Sequence, residues 1–159
     1  YQFSNSMGET IFRAVMNAVF GGIVVWWLVG PPPALPGWTF ALLALLGTWV
    51  MNFCITCLIG LSAFLVEEVS PFMWIYQKFV FILGGFLIPL DFYPDWLQSI
   101  AKALPFAYMI YGPSKLFVAP STELLFNVLS MQAVWIAVLG TILVISYRRG
   151  VAYLTVNGG

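Results

Sequence analysis

Four long apolar stretches constrain this chain more than any other feature. They cover approximately residues 11–29, 38–66, 72–90 and 125–147. A helix that crosses the hydrocarbon core of a bilayer needs about 20 apolar residues, and each stretch reaches or nearly reaches that length. Within them the apolar residues run continuously and do not alternate with polar ones, as they would in the wall of a membrane barrel. The sequence therefore predicts an all-α integral membrane protein, with four transmembrane helices in a single transmembrane domain over residues 1–159.

The composition excludes several classes of protein. Hydrophobic residues make up 62% of the 159-residue chain and charged residues 8%, whereas a soluble domain carries about 25% charged residues. Six Lys and Arg residues balance six Asp and Glu residues. This balance argues against nucleic acid as a partner, because nucleic-acid binding needs clustered positive charge. The sequence contains no histidine, which excludes catalysis or metal binding through that side chain.

The cysteines and the known catalytic patterns give no sign of an enzyme. Cys54 and Cys57 form a C-x-x-C inside an apolar run. We interpret them as packing residues on one helix face, since a free cysteine behaves as a small hydrophobic residue. The sequence has neither a nucleophile elbow nor a phosphate-binding loop. We therefore predict that the chain is not an enzyme and holds no cofactor or metal of its own.

The basic residues predict the orientation in the membrane. Four spans place both ends of the chain on the same side. The Lys and Arg residues on that side are Arg13, Lys78, Arg148 and Arg149, and those on the other side are Lys102 and Lys115. Because positive charge is enriched on the cytoplasmic side, we expect both ends and loop 67–71 in the cytoplasm. Loop 30–37 and segment 91–124 are then external.

The external segment is predicted to carry two short helices, within residues 94–118. Pro94 and Asp95 suit the first turn of a helix. Apolar residues then recur at the spacing of one helix face, at Leu97, Ile100, Ala101 and Leu104. Pro105 ends this amphipathic helix, and the following piece is expected to break at Gly112-Pro113. We interpret the pair as re-entrant or interfacial helices that lie against the outer ends of the spans.

A few polar side chains fall inside the predicted spans. Lys78 either reaches back to the cytoplasmic interface along its flexible stem, or lines a translocation path or pairs with a neighbouring subunit. Hydrogen bonds between helices account for Asn17, Asn52 and Gln132. Of these three, Asn17 is the best candidate for a pore or a dimer face.

The pair Glu67-Glu68 lies in the short predicted turn between the second and third stretches. It is either a solvated turn or a docking point for a cytoplasmic partner.

The segment Gly84–Phe117, GGFLIPLDFYPDWLQSIAKALPFAYMIYGPSKLF, resembles the permeases of ABC-2 type transporters, and within them the bacterial six-span export permeases. The shared pattern is a span that ends in G-x-[LI]-[IV]-P-L, an aromatic-Pro-x-W-L turn, an amphipathic helix, and L-P-F before a broken helix. The basic tail at Arg148-Arg149 is also similar. This likeness covers residues 70–159 in detail and residues 1–70 in hydropathy alone.

The resemblance implies a fuller arrangement. The chain would form the C-terminal four spans of a longer six-span permease in a bacterial inner membrane, surrounded by lipid. Two permease subunits would pair, and each would engage a separate cytoplasmic ATPase that binds the ATP. The contact with this ATPase would be a coupling loop formed by Glu67, Glu68, Val69 and Ser70. The external helices would cap the outer mouth of the path, with Asp91, Pro94, Trp96, Pro105 and Phe106 as candidate gate residues.

The predicted function is therefore export driven by the partner ATPase. A path lined by apolar and aromatic side chains suits an amphipathic or lipophilic substrate. Two other hypotheses compete with this one. The chain is alternatively a structural or accessory subunit of a larger membrane complex, or an intramembrane enzyme, for which Lys78 and a few amides offer little material.

Overall fold

The computed structural model describes residues 12, 15–17, 19–24, 27, 35–64 and 66–157. The chain divides into two compact units, residues 1–34 and 35–159. In the first unit the described residues are helical. The predicted first span, 11–29, lies partly outside the described residues, and so does most of loop 30–37.

The described residues of the second unit form six α-helices. They are α1 (Leu35–Leu61), α2 (Ser70–Leu83), α3 (Asp95–Ala103), α4 (Pro105–Met109), α5 (Tyr111–Val118) and α6 (Thr122–Asn157), with single 3-10 turns at Ser62–Phe64 and Leu90–Phe92. No strand occurs in the part of the chain that the structure describes. Among the described residues, two segments are long and apolar enough to cross a membrane, Pro36–Phe64 and Thr122–Gly150. The prediction of an all-α membrane protein is confirmed, and the count of four spans stays a prediction.

The two long helices, α1 and α6, lie side by side and run in the same direction. Near their beginnings Ala44 and Val128 share one buried cluster, and further along Met51 and Leu139 share another. At the far end Gly150 faces Phe64 so closely that a Cβ on the glycine would lie 2.7 Å from the ring. This parallel arrangement requires the chain to return between them, which the shorter elements accomplish.

Helix α2 is shorter than the predicted span 72–90, because a glycine cap ends it at Leu83. Gly85 adopts a left-handed conformation with φ of +72°, which a residue with a side chain rarely adopts. Its N–H donates to the carbonyl of Ile82, and the N–H of Phe86 donates to that of Phe81. The rings of Phe81 and Phe86 also pack edge to face at 4.8 Å. The fourteen helical residues span about 21 Å.

Helix α3 forms where the amphipathic pattern predicts it, from Asp95 to Ala103. Pro94 precedes its first residue, and Leu104 is extended because a proline follows. Ala101 is fully buried, in a cluster with Leu90 and Ala107. This cluster attaches α3 and the preceding 3-10 turn to α4.

Candidate functional site

The segment that joins α3 to α6 is broken at Ile110, two residues before the predicted break at Gly112-Pro113. Helix α4 ends at Met109, and α5 runs from Tyr111 straight through Pro113. Pro113 is the third residue of α5, where the missing N–H costs nothing. The proline acts instead on the carbonyl of Met109, four residues before it. The ring clashes with this carbonyl, and the missing N–H leaves the carbonyl without a helical donor. The prediction of a broken helix is therefore right, and its position was wrong.

Side chains from both long helices cap the carbonyls that this break exposes. The amide Nε2 of Gln132, on α6, donates to the carbonyl of Tyr108 at 2.9 Å and to that of Ala44, on α1, at 2.9 Å. The Thr48 hydroxyl lies 3.1 Å from the carbonyl oxygens of both Met109 and Ala44. Since Gln132 already serves Ala44, the single hydroxyl proton is available for Met109. We call this group of contacts, centred on Gln132 and Thr48, the polar junction.

The polar junction is deeply buried. Gln132 is 1% exposed, and its amide oxygen lies against Gly47, where a Cβ would clash with it. That oxygen and the indole N–H of Trp135 have no partner among the described residues. Because most buried polar groups are hydrogen-bonded, these two atoms are exceptions. This point in the bundle keeps one unused acceptor and one unused donor.

From the polar junction the chain returns along α1 to the end of the bundle at which α1 begins; the sequence predicts that this end is external, and we call it the outer end. Leu116 is fully buried between Ala44 and Val128, and the ring of Phe117 packs edge to face on Trp38 at 4.8 Å. The contacts of α4 and α5 thus run along α1 from Thr48 to Trp38, about 15 Å at the rise of a helix. The segment 104–118 is accordingly re-entrant with respect to the bundle: it enters between α1 and α6 and turns back.

A polar cluster at the outer end holds the preceding turn against α5. The hydroxyl of Tyr111 donates to Asp91 Oδ1 at 2.6 Å, and Lys115 Nζ lies 3.1 Å from the same oxygen. The hydrogen bond from Tyr111, together with the nearby Lys115, lowers the pKa of the Asp91 carboxyl. Hydrogen bonds to Tyr111 and to Asp91 raise the pKa of the Lys115 ammonium. We call these three residues the outer cluster.

Three further side chains tie the outer elements together through backbone carbonyls. Tyr93 donates to the carbonyl of Ile82 at 2.6 Å, near the end of α2. The side-chain amide of Gln98 donates to the carbonyl of Leu90 at 2.8 Å. The hydroxyl of Tyr108 donates to the backbone carbonyl of Lys102 at 3.0 Å, one residue before the end of α3. Helix ends leave carbonyls without helical donors, and here neighbouring elements supply them.

The structure places the five candidate gate residues in two different environments. Asp91 belongs to the outer cluster, and Pro105 is buried at the start of α4. Phe106 packs on Phe79 of α2, with ring centroids 5.8 Å apart. Pro94 and Trp96, at the beginning of α3, are exposed. Three of the five therefore contribute to the packed re-entrant unit, and their role in gating stays a prediction.

The proposed coupling residues lie at the opposite end, between α1 and α2. Glu67 and Glu68 are exposed. Val69 precedes α2, and its carbonyl accepts the N–H groups of the first turn. Ser70 is the first residue of the helix. The predicted coupling segment is therefore half turn and half helix start, and its contact with an ATPase stays a prediction.

The remaining polar candidates separate into packed and unpacked positions. Tyr76 donates to Asn52 at 2.7 Å, which joins α2 to α1 as expected for an amide inside a span. Lys78 is exposed, on the face of α2 opposite Tyr76 and Val80, the half-buried positions. Asn17 lies in the helical residues 15–17 of the first unit. A place in a pore or at a subunit interface stays a prediction for Asn17 and Lys78.

Thr48 is the residue that the sequence analysis did not single out, whereas Gln132 was expected to make hydrogen bonds between helices and does so with Ala44 of α1. The sequence pattern that indicates a buried Gln132 is its spacing from Val128 and Leu139. These residues lie four positions before it and seven after it, on the same buried face of α6. An amide on a buried face of a membrane helix needs partners. What the sequence could not supply is the acceptors, because they are backbone carbonyls of a helix whose break is not visible in the pattern.

These observations define a class of protein: a helical membrane protein whose two long parallel helices enclose a broken, re-entrant segment. The family model of the ABC-2 type transporter matches residues 1–118, well over half of the chain, and the protein belongs to this family. Comparisons with curated proteins and with solved structures find no match.

The matched range corrects the expected extent of the likeness. It includes residues 1–70, for which the sequence analysis found similarity in hydropathy alone. It ends at residue 118, before α6 and before the basic tail at Arg148-Arg149. The re-entrant segment 104–118 lies inside the range that the family model matches.

Proposed function

We propose that this chain is the permease subunit of an ABC exporter that moves an amphipathic or lipophilic substrate across a bacterial inner membrane. Two copies, or this chain and a related one, form the path, with both ends of the chain in the cytoplasm. A separate ATPase subunit binds and hydrolyses ATP and contacts the segment Glu67–Ser70. The observation that carries the proposal is the family match over residues 1–118.

The charge distribution of the described bundle supports this division of labour. The acidic pair Glu67-Glu68 is exposed at one end, where the chain turns between α1 and α2. The re-entrant segment and the outer cluster occupy the other end. A cytoplasmic subunit and an outer gate therefore have separate surfaces, and a force applied at the turn reaches the gate through α1 and α2, which contact α4 directly.

The mechanism we propose is alternating access. ATP binding draws the two cytoplasmic subunits together and moves the coupling segments, and the paired bundles change from an inward-open to an outward-open arrangement. Only a substrate that binds these arrangements with different affinity is moved. The side chains at the surface of α1 and α6 are predominantly apolar, which favours a substrate with a large apolar part.

The test is co-purification of the full-length protein with an ATP-hydrolysing subunit from the native membrane. Neutralising the turn with Glu67→Gln/Glu68→Gln should reduce the ATPase retained per permease. The reversal Glu67→Lys/Glu68→Lys should reduce it further without inverting the topology, because added positive charge favours a cytoplasmic turn. The matched control is Glu123→Gln, an exposed glutamate in the first turn of α6, at the other end of the bundle.

Each outcome has a definite consequence. Retention that falls in the turn variants and not in the control supports both the permease and the coupling segment. Equal retention in all variants keeps the permease and places the ATPase contact elsewhere. Purification with a stable set of other membrane subunits and no ATPase contradicts the proposal and favours an accessory subunit.

A further inference from the structure

A second feature of the bundle, unrelated to the re-entrant segment, is a groove between the far ends of α1 and α6. Its volume is ≈ 530 Å³, within the roughly 300–1,000 Å³ of small-molecule sites. Its walls are apolar or carry a thiol: Phe53, Cys57, Gly60, Leu61, Leu143 and Val144. Tyr147 and Arg148 complete the lining.

A different groove, of ≈ 380 Å³, lies between α1 and α5 at the outer end and is lined by Trp38 and Phe117. We call the groove at the far ends of α1 and α6 the basic-ended groove.

The chemistry of the basic-ended groove is that of an amphiphile site. Its walls are apolar over the length of α1 from Phe53 to Leu61, about 12 Å at the rise of a helix. Its one charged lining residue is Arg148, two residues before the end of the apolar segment Thr122–Gly150. A guanidinium binds phosphate through two parallel N–H groups. An apolar wall that ends in such a group matches a molecule with an apolar tail and an anionic phosphate head.

Gly60 keeps the basic-ended groove open. A Cβ built on this glycine meets no atom within 4 Å, so a larger side chain there would enter free space and fill the groove. Just beyond it, Phe64 packs against Gly150 and holds α1 against α6. The two helices are therefore fixed together at a point next to the groove.

From this geometry we infer that the basic-ended groove binds an anionic phospholipid, with an acyl chain along Phe53–Leu61 and the phosphate at Arg148. Basic sites between membrane helices on the cytoplasmic side attract anionic headgroups, and the predicted orientation places Arg148 on that side. The inference goes beyond transport. Its test needs neither an ATPase nor a substrate, so its failure and the failure of the proposed function are distinguishable.

The experiment is native mass spectrometry of the full chain in detergent, titrated with phosphatidylglycerol or phosphatidylcholine. The wild type should retain phosphatidylglycerol about fivefold more tightly, the effect of about one favourable charge contact. Arg148→Gln should weaken phosphatidylglycerol binding about tenfold, as expected for loss of a charge-assisted hydrogen bond. Arg149→Gln removes the same charge from the next residue, which does not line the groove, and should have a several-fold smaller effect.

A second pair of variants tests the apolar part. Gly60→Leu should reduce retention of both lipids, because its side chain occupies the space of the acyl chain. Gly140→Leu is the matched control, since a Cβ at Gly140 also meets no atom within 4 Å and this glycine is not in the groove. Equal binding of the two lipids by the wild type, or equal binding by the two leucine variants, would overturn the inference. So would capture of a second copy of the chain by a photoreactive group at position 53.

Discussion

Replacing Gln132 with leucine should destabilise the bundle, because it removes the amide that caps the broken helix. Gln132 donates to the carbonyls of Tyr108 and Ala44, each at 2.9 Å, and is 1% exposed. Leucine is similar in size to glutamine but has no polar group. The variant therefore tests the hydrogen bonds of the polar junction with little change in packing.

The magnitude follows from three contributions. Hydrogen bonds between membrane helices are worth about 0.6–1.7 kcal/mol each, so the loss of two costs about 1–3 kcal/mol. The carbonyl of Tyr108 loses its side-chain donor while buried, which costs about 1–3 kcal/mol more. Leucine also eliminates the buried amide oxygen that lacks a partner, a gain of about the same size as that second cost. The net expectation is a loss of about 1–3 kcal/mol.

The assay is equilibrium unfolding of the purified protein in mixed detergent micelles, followed by tryptophan fluorescence. The matched control is Gln77→Leu, an exposed glutamine on α2, which should change the free energy of unfolding by less than about 0.5 kcal/mol. A Gln132→Leu variant that unfolds like this control would refute the capping role.

Thr48→Val supplies an independent check on the same junction. The Thr48 hydroxyl lies 3.1 Å from the carbonyls of Met109 and Ala44, and Ala44 is shared with Gln132. Side chains in one hydrogen-bond network couple by about 0.5–3 kcal/mol. The double variant should therefore differ from the sum of the single ones by at least about 0.5 kcal/mol, and strict additivity would contradict a shared junction.

The other predictions concern the glycines and the outer cluster. Gly47→Ala should destabilise the folded bundle, since the new Cβ displaces the Gln132 amide. Gly140 has free space around it, so Gly140→Ala should stabilise the bundle by about 0.5–1 kcal/mol. Equal melting temperatures for the two variants would contradict this expectation. Gly85→Ala forces a side chain into a left-handed conformation and should cost about 1–2 kcal/mol, measured by the same melts. The lowered pKa of Asp91 means that its contribution to stability is present above the ordinary carboxyl pKa and is lost as the pH falls through the lowered value. Asp91→Asn should remove that acid-dependent part of the melting curve, whereas Lys115→Met should only reduce it, because the hydrogen bond from Tyr111 remains. Unchanged acid dependence in Asp91→Asn would refute this reasoning.

The sequence predicts the helical elements well where the pattern is local. The amphipathic spacing around Ala101 predicts α3, and continuous apolar runs predict α1 and α6. The end of α2 is also local, because Gly85 and the aromatic pair around it cap the helix. The length of the apolar stretch 72–90 concealed this cap, since hydropathy does not distinguish a helix from an apolar turn.

The polar junction could be predicted only in part. An amide at Gln132 inside an apolar helix indicates that a partner is needed. Which partner it has depends on the break at Ile110, and that break is set by the effect of Pro113 on a carbonyl four residues earlier. The pattern of residues shows the proline, and only the folded chain shows which carbonyls are left for Gln132 and Thr48 to reach.

The capped break also limits how the bundle can move. Gln132 on α6 and Thr48 on α1 hold the same two-residue stretch of backbone, Tyr108 and Met109. Pulling α1 away from α6 would leave these carbonyls stranded in an apolar interior. Helix α2 is held by fewer polar contacts, from Tyr76 to Asn52 of α1 and from Tyr93 to the carbonyl of Ile82, and by the packing of Phe79 on Phe106. We therefore expect the two long helices and the re-entrant segment to move together, with α2 attached to them more loosely.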